Sequence, residues 1–163
     1  MDSEHMTSET AFFNSPVGCI ELTGKGGIIT GLYFRDVDHP ENIPESLSEA
    51  VSQLKSYFSG ECREFNIPVK PEGTPFQLKV WQILLEIPYG KTISYGDIAN
   101  RMGIKNGARA VGLANGSNPV SVIIPCHRVI GANGKLTGYG GGLWRKEWLL
   151  KLEKSNSGQG LFQ

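Results

Sequence analysis

The chain of 163 residues is 39% hydrophobic and 20% charged, enough apolar material for a packed core in one domain or two small ones. Its formal charge of zero conceals two halves of opposite sign: residues 1–72 carry five Lys/Arg against twelve Asp/Glu, residues 73–163 eleven against four. No apolar run reaches the roughly 18–20 residues that cross a bilayer, the polar, acidic start is no secretory signal, and three widely spaced cysteines make no disulfide framework.

These bounds imply a reducing, intracellular setting in which a free thiol persists. A basic half joined to an acidic one suggests a polyanionic partner, with nucleic acid the first candidate.

Residues 1–10 read as disordered. Residues 11–13, 18–22 and 28–34 read as strands of an antiparallel meander, broken by Asn14-Ser15-Pro16 and Gly24-Lys25-Gly26-Gly27. A helix is expected from Ser46, with Glu49 completing a capping box and Leu47, Ala50, Val51, Leu54, Tyr57 and Phe58 on one face. Residues 65–69 read as a last strand, and residues 68–73 as a linker between a domain of residues 1–72 and one of residues 73–163.

The second half is helical. Thr74-Pro75-Phe76-Gln77 combines an N-cap, a proline at the first helical position and a capping glutamine. Phe76, Val80, Trp81, Leu84 and Ile87 form its buried face. Ser94 and Asp97 open a short helix that Gly103 closes, and a second short helix spans residues 107–115. The pair has the spacing of a helix-turn-helix. Its second helix is nearly stripped of bulk, with Gly107, Ala108, Ala110, Gly112 and Ala114, and Arg109 is its one long cation. Small side chains allow close backbone approach, either to a nucleic-acid groove or to another helix.

Residues 120–124 are β-branched and apolar and read as a buried extended lead into Pro125-Cys126-His127-Arg128. Residues 131–142 hold six glycines around Tyr139, either a loose loop or a wall whose amides face a ligand. The last helix, residues 143–154, places Trp144, Trp148 and Leu152 on an expected core stripe with Leu149 beside them, and Glu147 off it. The tail after Ser155 reads as disordered.

A cysteine reacts as its thiolate, and an ordinary thiol with pKa ~8.5 is mostly protonated at neutral pH. A histidine can take that proton and a carboxylate can orient the histidine. His5 and His39 lie in the acidic half, so His127 is the one candidate base near Cys126 in the sequence. Neighbours in an extended chain point to opposite sides, so direct contact requires a turn, and otherwise a water must bridge them. Cys19 and Cys62 read as inert and lack zinc-site spacing.

Pro125-Cys126-His127-Arg128-Val129, after Asn118-Pro119-Val120, resembles the active-site signature of the O6-alkylguanine-DNA alkyltransferases. The resemblance runs from about Thr74 to Leu152, through Ser94-Tyr95, Arg109-Ala110-Val111-Gly112, Tyr139 and Lys146-Glu147-Trp148-Leu149-Leu150. It implies an α+β fold: an N-terminal antiparallel sheet with a helix, a ribonuclease-H-like roll, and a C-terminal, mostly helical winged helix-turn-helix domain. The first would support, and the second would bind DNA and accept the alkyl group.

The resemblance also implies roles. Cys126 would take the alkyl group from O6 of guanine, and by extension from O4 of alkylated thymine, once and irreversibly. His127 would act as its base through a water, and Glu147 would orient the imidazole. Tyr95 would donate to N3 of the base. Arg109 would fill the gap left by the flipped nucleotide, with Ala108 and Ala110 beside it against the DNA. Asn118 would brace the cysteine turn, and Tyr139 would wall the base. Carbonyls near Cys126 and Val129 would accept from the exocyclic amine, and an amide near Gly140 would face O6.

No cofactor is implied. The zinc site of some relatives finds no ligand pattern in Cys19, Cys62, His5 and His39, so no metal is expected. The implied partner is double-stranded DNA bearing O6-alkylguanine, met by a monomer, in the cytoplasm of a prokaryote or the nucleus of a eukaryote. Two other readings compete. A non-catalytic helix-turn-helix protein, binding alkylated DNA or acting as a transcription factor, would have no need of Cys126. A cysteine hydrolase would turn over and would have no need of the basic half.

Overall fold

The computed structural model describes residues 7–157, which divide into two compact units at the Glu72–Gly73 boundary. His5 and the tail beyond Ser157 lie outside the described residues.

In the first unit, β1 (Ser8–Ser15), β2 (Gly18–Lys25) and β3 (Ile28–Arg35) form an antiparallel meander in the order β1-β2-β3. Ser8, Glu9 and Thr10 belong to β1, so the expected disorder does not extend over them. Gly26 and Gly27, with φ of 56° and 82°, make the tight β2–β3 turn, a conformation that favours glycine. Alternation buries Ala11 and Phe13 of β1 against Leu22 and Ile20 of β2, their register partners.

One turn of 3₁₀-helix, Glu45–Leu47, leads into α1 (Ser48–Phe58). The expected core face is buried there: Leu47, Ala50, Val51, Leu54, Tyr57 and Phe58. The expected capping box is absent. Ser46 instead hydrogen-bonds Glu9, and Glu49 accepts from Gln53 one turn on. Residues 65–69 supply a single bridge, Val69 to Ile29, in place of a strand. Pro68 cannot donate, which fits a one-residue contact at a sheet edge.

In the second unit, α2 (Pro75–Leu84) begins with the expected reciprocal box between Thr74 and Gln77. Ser94 and Asp97 make a second one at the start of α3 (Tyr95–Arg101). A turn through Gly103, φ 71°, and Asn106, φ 57°, leads to α4 (Ala108–Gly116). Trp81 of α2 donates its indole N–H to the Ala114 carbonyl of α4 at 2.8 Å, an anchor for α4. A two-residue parallel pair, β4 (Ile93–Ser94) with β5 (Val129–Ile130), ties the start of α3 to the end of the cysteine turn. The last helix among the described residues is α5 (Leu143–Asn156), two residues longer than expected.

Two expectations fail in this unit. Residues 120–124 are buried but coiled rather than extended. Ile124 N–H donates to Val120 O at 3.0 Å, Ile123 N–H to Ser121 O at 2.8 Å, and Val122 takes φ 72°. The core stripe of α5 is Arg145, Lys146, Leu149 and Glu153, while Trp144 is 54% exposed. The charged residues are inside because each finds a partner there.

Candidate active site

Cys126, His127 and Arg128 form a single 3₁₀ turn and are all buried, at 5%, 0% and 7% exposure. The turn is braced from both sides. Asn118 donates its amide to Ile124 O at 2.8 Å and accepts from Val120 N–H at 3.0 Å. Asn115 of α4 donates to the Cys126 carbonyl at 3.2 Å. A short polar side chain that reaches several backbone groups replaces the ladder bonds a coiled, buried segment lacks.

The carboxylate at the histidine is Glu153. His127 Nε2 lies 2.7 Å from Glu153 Oε2 with both groups essentially unexposed. Glu147, the residue expected there, is more than half exposed on another face of α5, 3.8 Å from Lys151. Glu147 and Glu153 are six residues apart, so the 3.6-residue period cannot put both on one face. Glu153 also accepts from Arg128 Nε at 2.8 Å, Arg128 Nη2 at 2.9 Å and the Gly90 amide at 3.2 Å. Arg128 spends its other branch on the Ile87 carbonyl at 2.6 Å and lies over the Tyr89 ring.

The electrostatics follow from this arrangement. Burial alone would raise the Glu153 carboxyl, but His127 and Arg128 outweigh it and hold the group well below the usual range, as an anion. Burial lowers His127 from its ordinary value despite the pull of Glu153, so the imidazole is neutral at pH 7. With Nε2–H donating to the carboxylate, Nδ1 is left as an acceptor; it is buried and has no partner among the described residues.

Burial raises the Cys126 thiol, opposed by Asn118, the Lys146 charge and Ser121. A thiol held neutral in this way needs a base before it can attack. Lys146 is buried and lowered to about 8 by desolvation, with Cys126 pulling the other way. Its ammonium donates to the Thr137 carbonyl at 2.6 Å and lies 5.9 Å from the Tyr95 ring centroid.

The other expected residues fall as follows. Tyr95 starts α3 half-buried, and its hydroxyl is 2.8 Å from Thr137 Oγ1. Tyr139 of the glycine-rich loop has a covered hydroxyl, with a pKa pushed well up by burial and the neighbouring Cys126. Val129 is buried in β5, paired with Ile93. Gly140 is exposed, and a Cβ there would meet nothing, so the backbone does not demand glycine. Ala108, Arg109 and Ala110 share the exposed side of α4 with Leu113, which is 70% exposed.

Cys126, His127, Asn118, Val129 and Tyr139 are thus brought together, and Arg109 stands apart on the open face. Among the described residues no three His, Cys, Asp or Glu side chains gather as metal ligands, and no helix is long and apolar enough to cross a membrane. Sequence reasoning missed Glu153, Arg128, Lys146, Asn115 and Thr137. The first was within reach: Lys146, Leu149 and Glu153 repeat at three and four residues, and residues 73–163 hold only four acids.

Comparison with known proteins identifies the family. Residues 10–71 match the family model of the 6-O-methylguanine DNA methyltransferase ribonuclease-like domain, and residues 75–155 that of its DNA binding domain. A methylated-DNA–protein-cysteine methyltransferase of Mycobacterium tuberculosis is 52% identical over 150 residues, covering 88% of this chain and 91% of the relative. One from Methanosarcina acetivorans is 49% identical over 152 residues, 89% and 97% of the two chains. The crystal structure of Mycobacterium tuberculosis OGT in complex with DNA superposes with a TM-score of 0.84 at 51% identity, over 90% of this chain and 93% of that one. With both halves matched in order, the chain belongs to the 6-O-methylguanine DNA methyltransferase family.

Proposed function

We propose that the protein repairs DNA by direct reversal, moving the alkyl group of O6-alkylguanine, and of O4-alkylthymine, onto Cys126. The observation that carries this reading is the buried Cys126–His127 turn, whose imidazole is fixed by Glu153 on one nitrogen and has no partner among the described residues on the other.

In the reaction, Cys126 Sγ attacks the alkyl carbon. The C–S bond forms as the C–O6 bond breaks, and the electron pair leaves on O6. The thiol proton passes through a bridging water to His127 Nδ1, and the Tyr95 hydroxyl donates to N3 so that charge does not accumulate on the departing base. Glu153, rather than Glu147, holds the imidazole and stabilises its protonated form. Displacement at carbon by sulfur needs no cofactor, and a thioether is not hydrolysed, so each molecule acts once.

The target atom is inside a duplex, so the nucleotide must be extruded at a cost of a few kcal/mol. Arg109, on a helix face otherwise occupied by Ala108, Ala110 and Leu113, fills the gap. Tyr139 walls the pocket, and carbonyls near Cys126 and Val129 and the Gly140 amide read the base. In this reading the first unit supports the second, and the protein acts as a single chain in the cytoplasm, as befits likeness to bacterial and archaeal relatives.

Incubation with duplex DNA containing O6-methylguanine, followed by peptide mass spectrometry, tests the proposal. One equivalent should be consumed, with a methyl group on the Cys126 peptide and no turnover. An unmodified Cys126 peptide, or repeated turnover, refutes it. A DNA-binding protein without transfer chemistry would leave Cys126 intact in the same experiment.

A further inference from the structure

The Tyr95 hydroxyl is held by a residue that none of the roles above includes. Thr137, in the glycine-rich loop, sets its Oγ1 2.8 Å from Tyr95 Oη, while its carbonyl accepts from the Lys146 ammonium at 2.6 Å. Lys146 also sits over the Tyr95 ring. Thr137 is therefore held at two points, one on its side chain and one on its backbone. The Tyr95 ring meanwhile rests against α4 at Gly112, where an added Cβ would stand 3.7 Å from Cδ1.

Each hydroxyl of the pair has one proton, and the short contact uses only one of the two. If Tyr95 gave its proton to Thr137, it would have none for a base. If Thr137 gives its proton to Tyr95 Oη, the phenol proton points away from the loop and is free to donate. A hydroxyl that accepts one hydrogen bond also donates a stronger one, because the chain polarises cooperatively.

We infer that Thr137 is a positioning residue for the transfer step, its hydroxyl donating to Tyr95 Oη and so aiming the phenol proton at the departing base. The inference rests on the donor role proposed for Tyr95 above and adds the group that sets its direction. Thr137 does not touch the reacting atoms. It acts on the rate at which the bound base leaves and not on how tightly DNA is held.

Single-turnover kinetics of the full chain on O6-methylguanine duplex DNA, over a range of protein concentration, separate these two quantities. Thr137→Val keeps the shape and removes the hydroxyl. It should slow the maximal transfer rate about three- to tenfold, the worth of one hydrogen bond, with half-saturation unchanged. Thr137→Ser should restore the rate. In a Tyr95→Phe background, Thr137→Val should cost nothing further, since the group it aims is gone.

An unchanged rate in Thr137→Val, an equal loss in the Tyr95→Phe background, or a failure of serine to rescue would each overturn the inference. Tyr95→Phe alone keeps the readings apart. If it is slow while Thr137→Val is not, Tyr95 stands and Thr137 falls. If Tyr95→Phe is as fast as the parent, the donor role itself falls, and Thr137's with it.

Discussion

At the scale of single residues, Glu153 organises more of the site than any other side chain described. It takes His127, both near branches of Arg128 and the Gly90 amide. Removing one partner of a buried pair leaves the other charge uncompensated, at about 3–5 kcal/mol. Glu153→Gln should therefore lower unfolding free energy by about 3 kcal/mol in urea titrations and slow transfer to Cys126. Glu147→Gln, at an exposed position, should change stability by less than about 0.5 kcal/mol and leave the rate intact.

The same pair sets a pH dependence. Both His127 and Glu153 have folded pKa values below their ordinary ones. The unfolded chain thus binds more protons as pH falls, and the stability these groups contribute is full above their unfolded values, ~6.5 and ~4.3. Thermal midpoints should fall from about pH 6.5 downward as the buried imidazole is forced to charge, and again below about pH 4.3. Glu153→Gln should flatten the lower stage in scanning calorimetry. The sequence marked Cys126 and His127 because cysteine beside histidine is a chemical signal. It did not mark Glu153 because a polar residue on a buried face gives no hydrophobic signal, and the tryptophans drew the stripe the wrong way.

At the scale of elements, the capping residues made the helix starts legible. Thr74 with Gln77 and Ser94 with Asp97 form the expected boxes because local hydrogen bonds depend on residues three apart. Ser46 with Glu49 has the same spacing and fails, since Ser46 is taken by Glu9 from another element. The β4–β5 pair was illegible for a similar reason: two residues joined across 36 positions leave no period to read. The coil of residues 120–124 hides behind β-branched residues that favour strands. Val122 at φ 72° is held there by its neighbours' hydrogen bonds and by Asn118.

The small residues of α4 do not all serve one purpose. At Gly107 an added Cβ would stand 2.6 Å from Ile104 Cγ2 and 3.2 Å from Ala99 Cβ, so this glycine lets α4 close on α3 and its turn. Gly107→Ala should destabilise the protein by about 1–3 kcal/mol, read by chemical unfolding. At Gly116 nothing lies within 4 Å, and Gly116→Ala should be neutral or stabilising by up to about 1 kcal/mol. On the exposed side, Arg109→Ala should weaken transfer from duplex DNA by well over tenfold while sparing reaction with free O6-benzylguanine, which needs no flipping. Equal losses on the two substrates would remove Arg109 from the role of plug.

For the whole molecule, the division at Glu72–Gly73 separates the acidic half from the basic one, and the charge contrast in the sequence follows the same boundary. The count of basic residues nevertheless overstates what DNA can meet. Arg128, Arg145 and Lys146 are buried, as is Glu153. Of eleven cations and four anions in residues 73–163, eight cations and three anions remain outside, a net of +5 against the formal +7. The interior charges packed around Cys126 and His127 are thus withdrawn from the surface that would meet phosphates. Each phosphate neutralised releases condensed counterions, so the logarithm of affinity falls with the logarithm of salt at about −0.9 per contact. With eight outward cations the slope for duplex DNA has a ceiling near −7, and Lys146→Met should leave that slope unchanged however strongly it alters the chemistry.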